Sequence, residues 1–232
     1  MKKTNLARLA RTVLAVFALT AFPAVAFAAS NSTFNQTINS GTLTTDIMNA
    51  SRVAVGTPAV SMTAKNFSFD CQAGGSASTG TFGTGSERIY VANGDAADNG
   101  WTLTVGATGG ATTTWENSGA SQLIDFNDPT GATAGCSDGA DADSVAGQMT
   151  LDPSAGTLAA DCGTCNTTNV SKGSSAGFEQ GVTDSVTLIN AASGSDDVWR
   201  GYLTGVGVSQ TIPAETPADS YTVDLTLTVT AS

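Results

Sequence analysis

The amino-acid sequence predicts an all-β protein, a β-sandwich with Greek-key, Ig-like or jelly-roll-like connections and one long disulfide-tied loop insertion. Three observations predict it. Residues 221–229 (YTVDLTLTV) alternate without a break, with Tyr221, Val223, Leu225, Leu227 and Val229 on one face. Period 2 is that of a half-buried strand; at 100° per residue the same apolar set would scatter around a helix. Residues 101–105 repeat the pattern, setting Trp101, Leu103 and Val105 against Thr102 and Thr104. The chain is also rich in Gly, Ser and Thr and poor in Lys and Glu. That balance suits strands and turns better than surface helices.

The N-terminus reads as an export signal spanning residues 1–28. Lys2, Lys3, Arg8 and Arg11 precede a short apolar core at 13–19, and Ala26-Phe27-Ala28 supplies the small residues of a cleavage site before Ala29. The expected mature chain, residues 29–232, is a single β-sandwich domain. No second apolar run of about 18 residues occurs, so no membrane span is expected after signal cleavage, and no C-terminal anchor. The formal net charge of the whole chain is −11. Four of its nine basic residues leave with the signal and no acidic ones do, so the mature charge is −15. That balance argues against nucleic acid and anionic lipid as partners. The expected location is extracellular, at the cell surface or secreted.

Each element then follows in order. Phe34, Gln36 and Ile38 alternate, Ser40-Gly41 interrupts, and Leu43, Thr45 and Ile47 alternate again, predicting two short strands. Val53 with Val55 and Val60 with Met62 are short runs separated by Pro58. Phe67, Phe69 and Cys71 share a face, which assigns both rings to core filling. Residues 72–86 are a Gly/Ser-rich loop or weak edge strand around Phe82. Residues 88–105 read as a β-hairpin, with Asn93-Gly94 and Asn99-Gly100 reversing the chain between the Ile89/Val91 and Trp101/Leu103/Val105 arms. Trp115 reads as a satellite hydrophobic contact, the alternative being an exposed ring that stacks on sugar. Residues 123–126 form a short apolar segment. From 127 to 175 large apolar residues thin out, with only Met149 and Leu151 strand-like, so this Cys- and Asp-rich stretch is expected to be the insertion. Strand pattern returns at 182–189, 199–203 and 206–212, with Trp199 at the core or its rim, and ends with 221–229.

Four cysteines, Cys71, Cys136, Cys162 and Cys165, remain after signal cleavage. An even count in an exported chain reads as two disulfides with three connectivities. The expected one is Cys71–Cys136 with Cys162–Cys165. A thioredoxin-like reading of the CxxC lacks a βαβ unit, and a zinc reading lacks histidine and a second close ligand pair.

One constellation points to a metal. Asp125, Asn127, Asp128, Asp138, Asp141 and Asp143 are hard oxygen donors on one loop-like stretch, a candidate calcium site. The spacing is not that of an EF-hand, and the alternative is a solvated acidic loop. The chain has no histidine, which removes the usual nucleophile–base pairs and the HExxH site. Asp196-Asp197 reads as a solvated turn before it reads as a glycosidase pair. The expectation is therefore a non-enzymatic protein.

Two motifs resemble the WxL domain of bacterial surface proteins. Residues 100–105 (GWTLTV) carry the triplet Trp101-Thr102-Leu103, and residues 221–229, with Tyr221 and Leu225, resemble that family's closing strand. Leu227-Thr228-Val229 stands where a second WxL is usual. The resemblance implies a structural protein held non-covalently at the cell wall, its partner a wall polymer or other surface proteins. Residues 34–47 also resemble the start of camelysin-type biofilm fibre proteins. That resemblance implies a homopolymer built by strand donation, with residues 29–38 as the donor. A secreted carbohydrate-binding module is the remaining alternative.

Overall fold

The computed structural model describes residues 35–97, 99–196 and 198–232. The signal segment, Phe34 and most of the proposed donor strand lie outside the described residues. Two units separate, residues 1–38 and 39–232. In the first, the described residues 35–38 form no strand. All the architecture below belongs to the second.

The second unit is almost entirely antiparallel β-structure. One sheet orders β1 (Leu43–Met48), β3 (Arg88–Asn93), β13 (Trp199–Thr204) and β9 (Thr157–Ala160) side by side. Another orders β10 (Val170–Lys172), β12 (Ser185–Ala191), β4 (Trp101–Ala107) and β16 (Leu225–Ala231). A third orders β11 (Ala176–Gly177), β8 (Gly147–Asp152), β14 (Val206–Gln210) and β2 (Ser78–Phe82), with β7 (Asn127–Asp128) added on β8. A small sheet joins β15 (Tyr221–Thr222), β5 (Trp115–Asn117) and β6 (Leu123–Ile124).

The first and third sheets are two halves of one creased layer. β13 passes into β14 through Gly205 alone, and the chains on either side of it follow across the crease with a few extra residues each. Leu203 faces Ile89 of β3 and Val206 faces Phe82 of β2. On the other side Thr204 faces Thr157 of β9 and Gly207 faces Asp152 of β8. Glycines mark the crease on all three lines. Gly83 and Gly205 have φ of +80° and +77°, and the Gly205 amide donates to the Gly83 carbonyl at 2.7 Å. At Gly156 a Cβ would lie 2.7 Å from the Thr204 carbonyl oxygen.

The core lies between this layer and the β10-β12-β4-β16 sheet. Alternation decides which side chains enter it. β4 buries Trp101, Leu103 and Val105, and β13 buries Trp199, Gly201 and Leu203. The Trp101 and Trp199 rings meet with centroids 5.3 Å apart. Gly201 makes that possible, because a Cβ there would come within 2.4 Å of the Trp199 ring. The Trp199 indole donates to the Asn166 carbonyl at 2.8 Å. The Trp101 indole nitrogen is buried without a partner among the described residues.

Several expectations need correction. The 88–105 hairpin does not form. β3 pairs with β1 and β13, whereas β4 pairs with β12 and β16, so residues 94–100 cross between layers. The two Asn-Gly pairs bracket four further residues and so do not make a two-residue hairpin turn. Both arms carry core-facing side chains, and each finds its partners in a different layer. Residues 127–175 are not one insertion, since β7, β8, β9 and β10 all arise there, and 129–146 is the longest stretch among them without a strand. Phe67 and Phe69 are 51% and 75% exposed and stack edge-to-face on each other. Their segment joins no ladder, so alternation there does not sort side chains between core and solvent. The closing strand breaks at 223–224, where the chain leaves the small sheet as β15 and enters the β4 sheet as β16.

Candidate metal centre

The site begins with one aromatic anchor. Phe126 is buried and packs on Phe178, ring centroids 5.1 Å apart. Its carbonyl accepts from the Met149 amide at 2.7 Å, and the Asp125 amide donates to the Ala146 carbonyl at 3.0 Å. Asp125 and Phe126 lie between β6 and β7, outside either strand, and Asp125 and Asn127 are each only 1% exposed. The 129–146 loop lies against Asp125, bringing Asp141 and Asp143 to its carboxylate.

Glycines and a disulfide hold that loop down. At Gly147, with φ +142°, a Cβ would sit 2.1 Å from the Asp125 carbonyl oxygen. At Gly135 one would sit 2.5 Å from the Gln148 nitrogen. Cys136 in the loop bonds to Cys71, Cα atoms 5.7 Å apart, and Thr211 donates its hydroxyl to the Ala134 carbonyl at 3.1 Å. The second disulfide, Cys162–Cys165, joins Cα atoms 5.5 Å apart. Both are the expected pairs.

The six predicted donors divide by role. Asp128 secures the loop: Oδ1 accepts from the Thr130 amide at 2.7 Å and Oδ2 from the Gly139 amide at 2.9 Å and the Ala140 amide at 3.4 Å. Burial pushes its carboxyl up, but the Thr130 side chain and these amides outweigh it and hold Asp128 below the usual range. Asp125, Asp141 and Asp143 converge, each placing a carboxylate oxygen within 4.8 Å of the others. Asp128, Asp138 and Asp141 form a second such group, so Asp141 belongs to both.

Asp125 is the unusual member. Its Oδ1 accepts from the Phe126 amide at 2.6 Å and the Asn127 amide at 3.3 Å. Its Oδ2 is buried and has no hydrogen-bond partner among the described residues. Burial pushes the Asp125 carboxyl up to about 7 against the pull of those two amides, and Asp143 and Asp141 push the same way. Asp143 is raised too, by burial first and then by Asp141 and Asp138. The single salt bridge among the described residues, Arg52 to Asp161, involves none of these carboxylates.

Asn127 forms the adjoining wall. Its Nδ2 donates to the Ala111 carbonyl at 2.6 Å, while its buried Oδ1 accepts nothing among the described residues. Sequence reasoning missed the glutamines around it. In the amide orientation that satisfies both partners, Gln180 donates to the Ala111 carbonyl at 3.1 Å and to Asp141 Oδ2 at 2.8 Å. Gln210 donates to the Asp125 carbonyl at 2.9 Å and accepts from the Trp115 indole at 2.9 Å. Gln180 and Gln210 lie more than fifty residues from Asp125 in the chain, and nothing local in the sequence signals them. Trp115 is half-buried against the core, which is the satellite contact and not the exposed sugar platform.

The remaining marked residues do other work. Trp101 and Leu103 are core, and Tyr221 and Leu225 are half-buried. β16 lies beside β4, so Leu227 faces Val105 and Val229 faces Leu103. Asp196 accepts from the Asn166 amide at 2.8 Å, and Asp197 lies outside the described residues. No protein-family model, curated protein or solved structure matches the chain.

Proposed function

We propose that this chain is a non-enzymatic, secreted structural module of the bacterial cell surface, held there by a wall polymer or by other surface proteins. The observation that carries the reading is the pairing of all four mature cysteines in an acidic all-β sandwich, with no free cysteine among the described residues. Such cross-links persist where thiols are oxidised, outside the cytosol. The mature charge of −15 suits a hydrated extracellular surface. The WxL-like triplet supports a shared sandwich more than a shared ligand, since Trp101 and Leu103 are spent on packing. Fractionation of the source cells tests it. The protein is expected in the wall fraction, released by salt or denaturant. Recovery from the cytosol with reduced cysteines rules the reading out.

A second reading, a fibre subunit joined by strand donation, draws on a surface trough. A cavity of about 530 Å³ is lined by Ile47, Val60, Met62, Phe82, Leu225 and Leu227. An added strand needs an apolar trough with room for alternate side chains. Electron microscopy of the mature protein decides: filaments that vanish on deletion of residues 29–39 favour this reading over the first.

A further inference from the structure

Asp125 poses a physical problem that the fold leaves open. A carboxylate oxygen sealed from water needs a donor or a cation. Asp125 Oδ2 has neither among the described residues, and the groups nearest its carboxylate include two more acids, Asp141 and Asp143. Pressing three acids together is unfavourable unless positive charge joins them. Two residues along the chain from Asp125, the buried Asn127 Oδ1 is also an acceptor without a donor among the described residues. An orphaned acceptor inside an acidic cluster is what a cation site looks like without its cation.

The donor chemistry favours one class of ion. Calcium takes oxygen ligands at about 2.3–2.6 Å, so two oxygens on one ion lie at most about 5 Å apart. Magnesium, at about 2.0–2.1 Å, demands near-ideal octahedral geometry and gives up its waters reluctantly. The Asp125, Asp141 and Asp143 oxygens lie within 4.8 Å of one another. Three carboxylates, two of them on one loop, completed by carbonyls and water, suit calcium's flexible shell. The two Asp128 oxygens accept from three loop amides, whereas Asp125 Oδ2 accepts from no group among the described residues.

We propose that Asp125, Asp141 and Asp143 form a calcium site that closes the 129–146 loop over the edge of the sandwich. Asp125 is the buried ligand, held between β6 and β7, and Asp141 and Asp143 are the ligands the loop brings to it. Asp128 and the Cys71–Cys136 bond position the loop and do not bind the ion. This site stands independently of where the protein resides.

Calorimetry and thermal melting of the mature protein test the proposal, with calcium chloride, magnesium chloride and EDTA as the arms. One calcium is expected per chain, with a dissociation constant on the order of 10⁻⁴ M and magnesium at least tenfold weaker. At 10 mM calcium the midpoint is expected to rise by roughly 5–10 °C relative to EDTA. Asp143→Asn is expected to cut the affinity at least tenfold and leave the midpoint in EDTA unlowered, because an asparagine oxygen still accepts from the Val145 amide and the charge beside Asp125 and Asp141 is gone. Asp138→Asn is expected to change the affinity less than threefold. Asp125→Asn serves as a third variant only if circular dichroism shows that it folds. No heat together with an unmoved midpoint overturns the site, as does equal tightening by magnesium. Loss of binding on Asp138→Asn but not on Asp143→Asn overturns the choice of ligands.

Discussion

At the residue scale, two contacts show how little room the core leaves. Gly201 is required because Trp199 lies flat beside it, and a Cβ there would also meet the Ala159 carbonyl oxygen at 2.4 Å. Neither atom is the free end of a flexible side chain. Gly201→Ala is expected to cost about 2–3 kcal/mol in urea denaturation; a loss under ~0.5 kcal/mol would mean the indole moves aside cheaply. The second contact titrates. The Arg52 guanidinium donates to Asp161 from Nε at 2.7 Å and from Nη2 at 3.0 Å, and the Tyr90 hydroxyl donates to the same carboxylate at 3.2 Å. Arg52 is the main reason that Asp161 sits below the usual range, with Tyr90 and Arg200 helping. A depressed carboxyl stabilises the fold above its unfolded value, near pH ~4, and loses that contribution as pH falls through the folded value. Asp161→Asn is therefore expected to be less stable than the wild type at neutral pH, with the gap narrowing as pH drops below ~4. Denaturant midpoints across that range check it, and a gap that widens toward acid would refute it.

At the element scale, the two disulfides act on very different lengths of chain. Cys71–Cys136 spans 65 residues, Cys162–Cys165 only 3. Loop-closure entropy rises with the length enclosed, so replacing Cys71 and Cys136 by serine is expected to cost about 4 kcal/mol, on a chain-entropy argument. The Cys162/Cys165 double serine variant is expected to cost clearly less, and equal losses would show that entropy is not the main effect. The 129–146 loop gains more than stability from Cys136. That bond, Gly135 and Gly147 press it against β8, which is why a strandless loop can bury Asp125 and Asn127.

At the scale of the whole molecule, the crease turns three continuous lines of chain into a layer that wraps one core. Its glycines are not equivalent. A Cβ on Gly205 would meet nothing closer than the Gly156 Cα at 3.7 Å, so Gly205→Ala carries only the cost of φ +77°, about 1 kcal/mol. Gly83 combines φ +80° with a Cβ position 3.0 Å from the Leu203 carbonyl oxygen. Gly83→Ala is expected to cost about twice as much, and thermal melting of the two variants gives the order. The reverse order would locate the bend's main constraint in β13–β14.

The sequence by itself determined the all-β class, the core faces of β4 and β13, that the four cysteines pair, and the stretch that holds the acids; which cysteine meets which came from the structure. Each of these rests on a local signal: alternation of period 2, an even cysteine count, or composition. Only the tertiary structure decided which strands pair. Residues 88–105 look like a hairpin because both arms alternate, but alternation says which face is buried and not which layer the strand joins. The Phe67/Phe69 pair shows the same limit from the other side, since a two-residue period without a partner strand sorts nothing. The acidic stretch was legible as a group of six donors. Its division into the converging Asp125, Asp141 and Asp143, the loop-fastening Asp128 and the supporting Gln180 and Gln210 was not. That division depends on an anchored Phe126, a loop pressed down by glycines and a disulfide, and glutamines far away in the chain. Burial of a carboxylate is a property of what folds over it, and no local pattern encodes that.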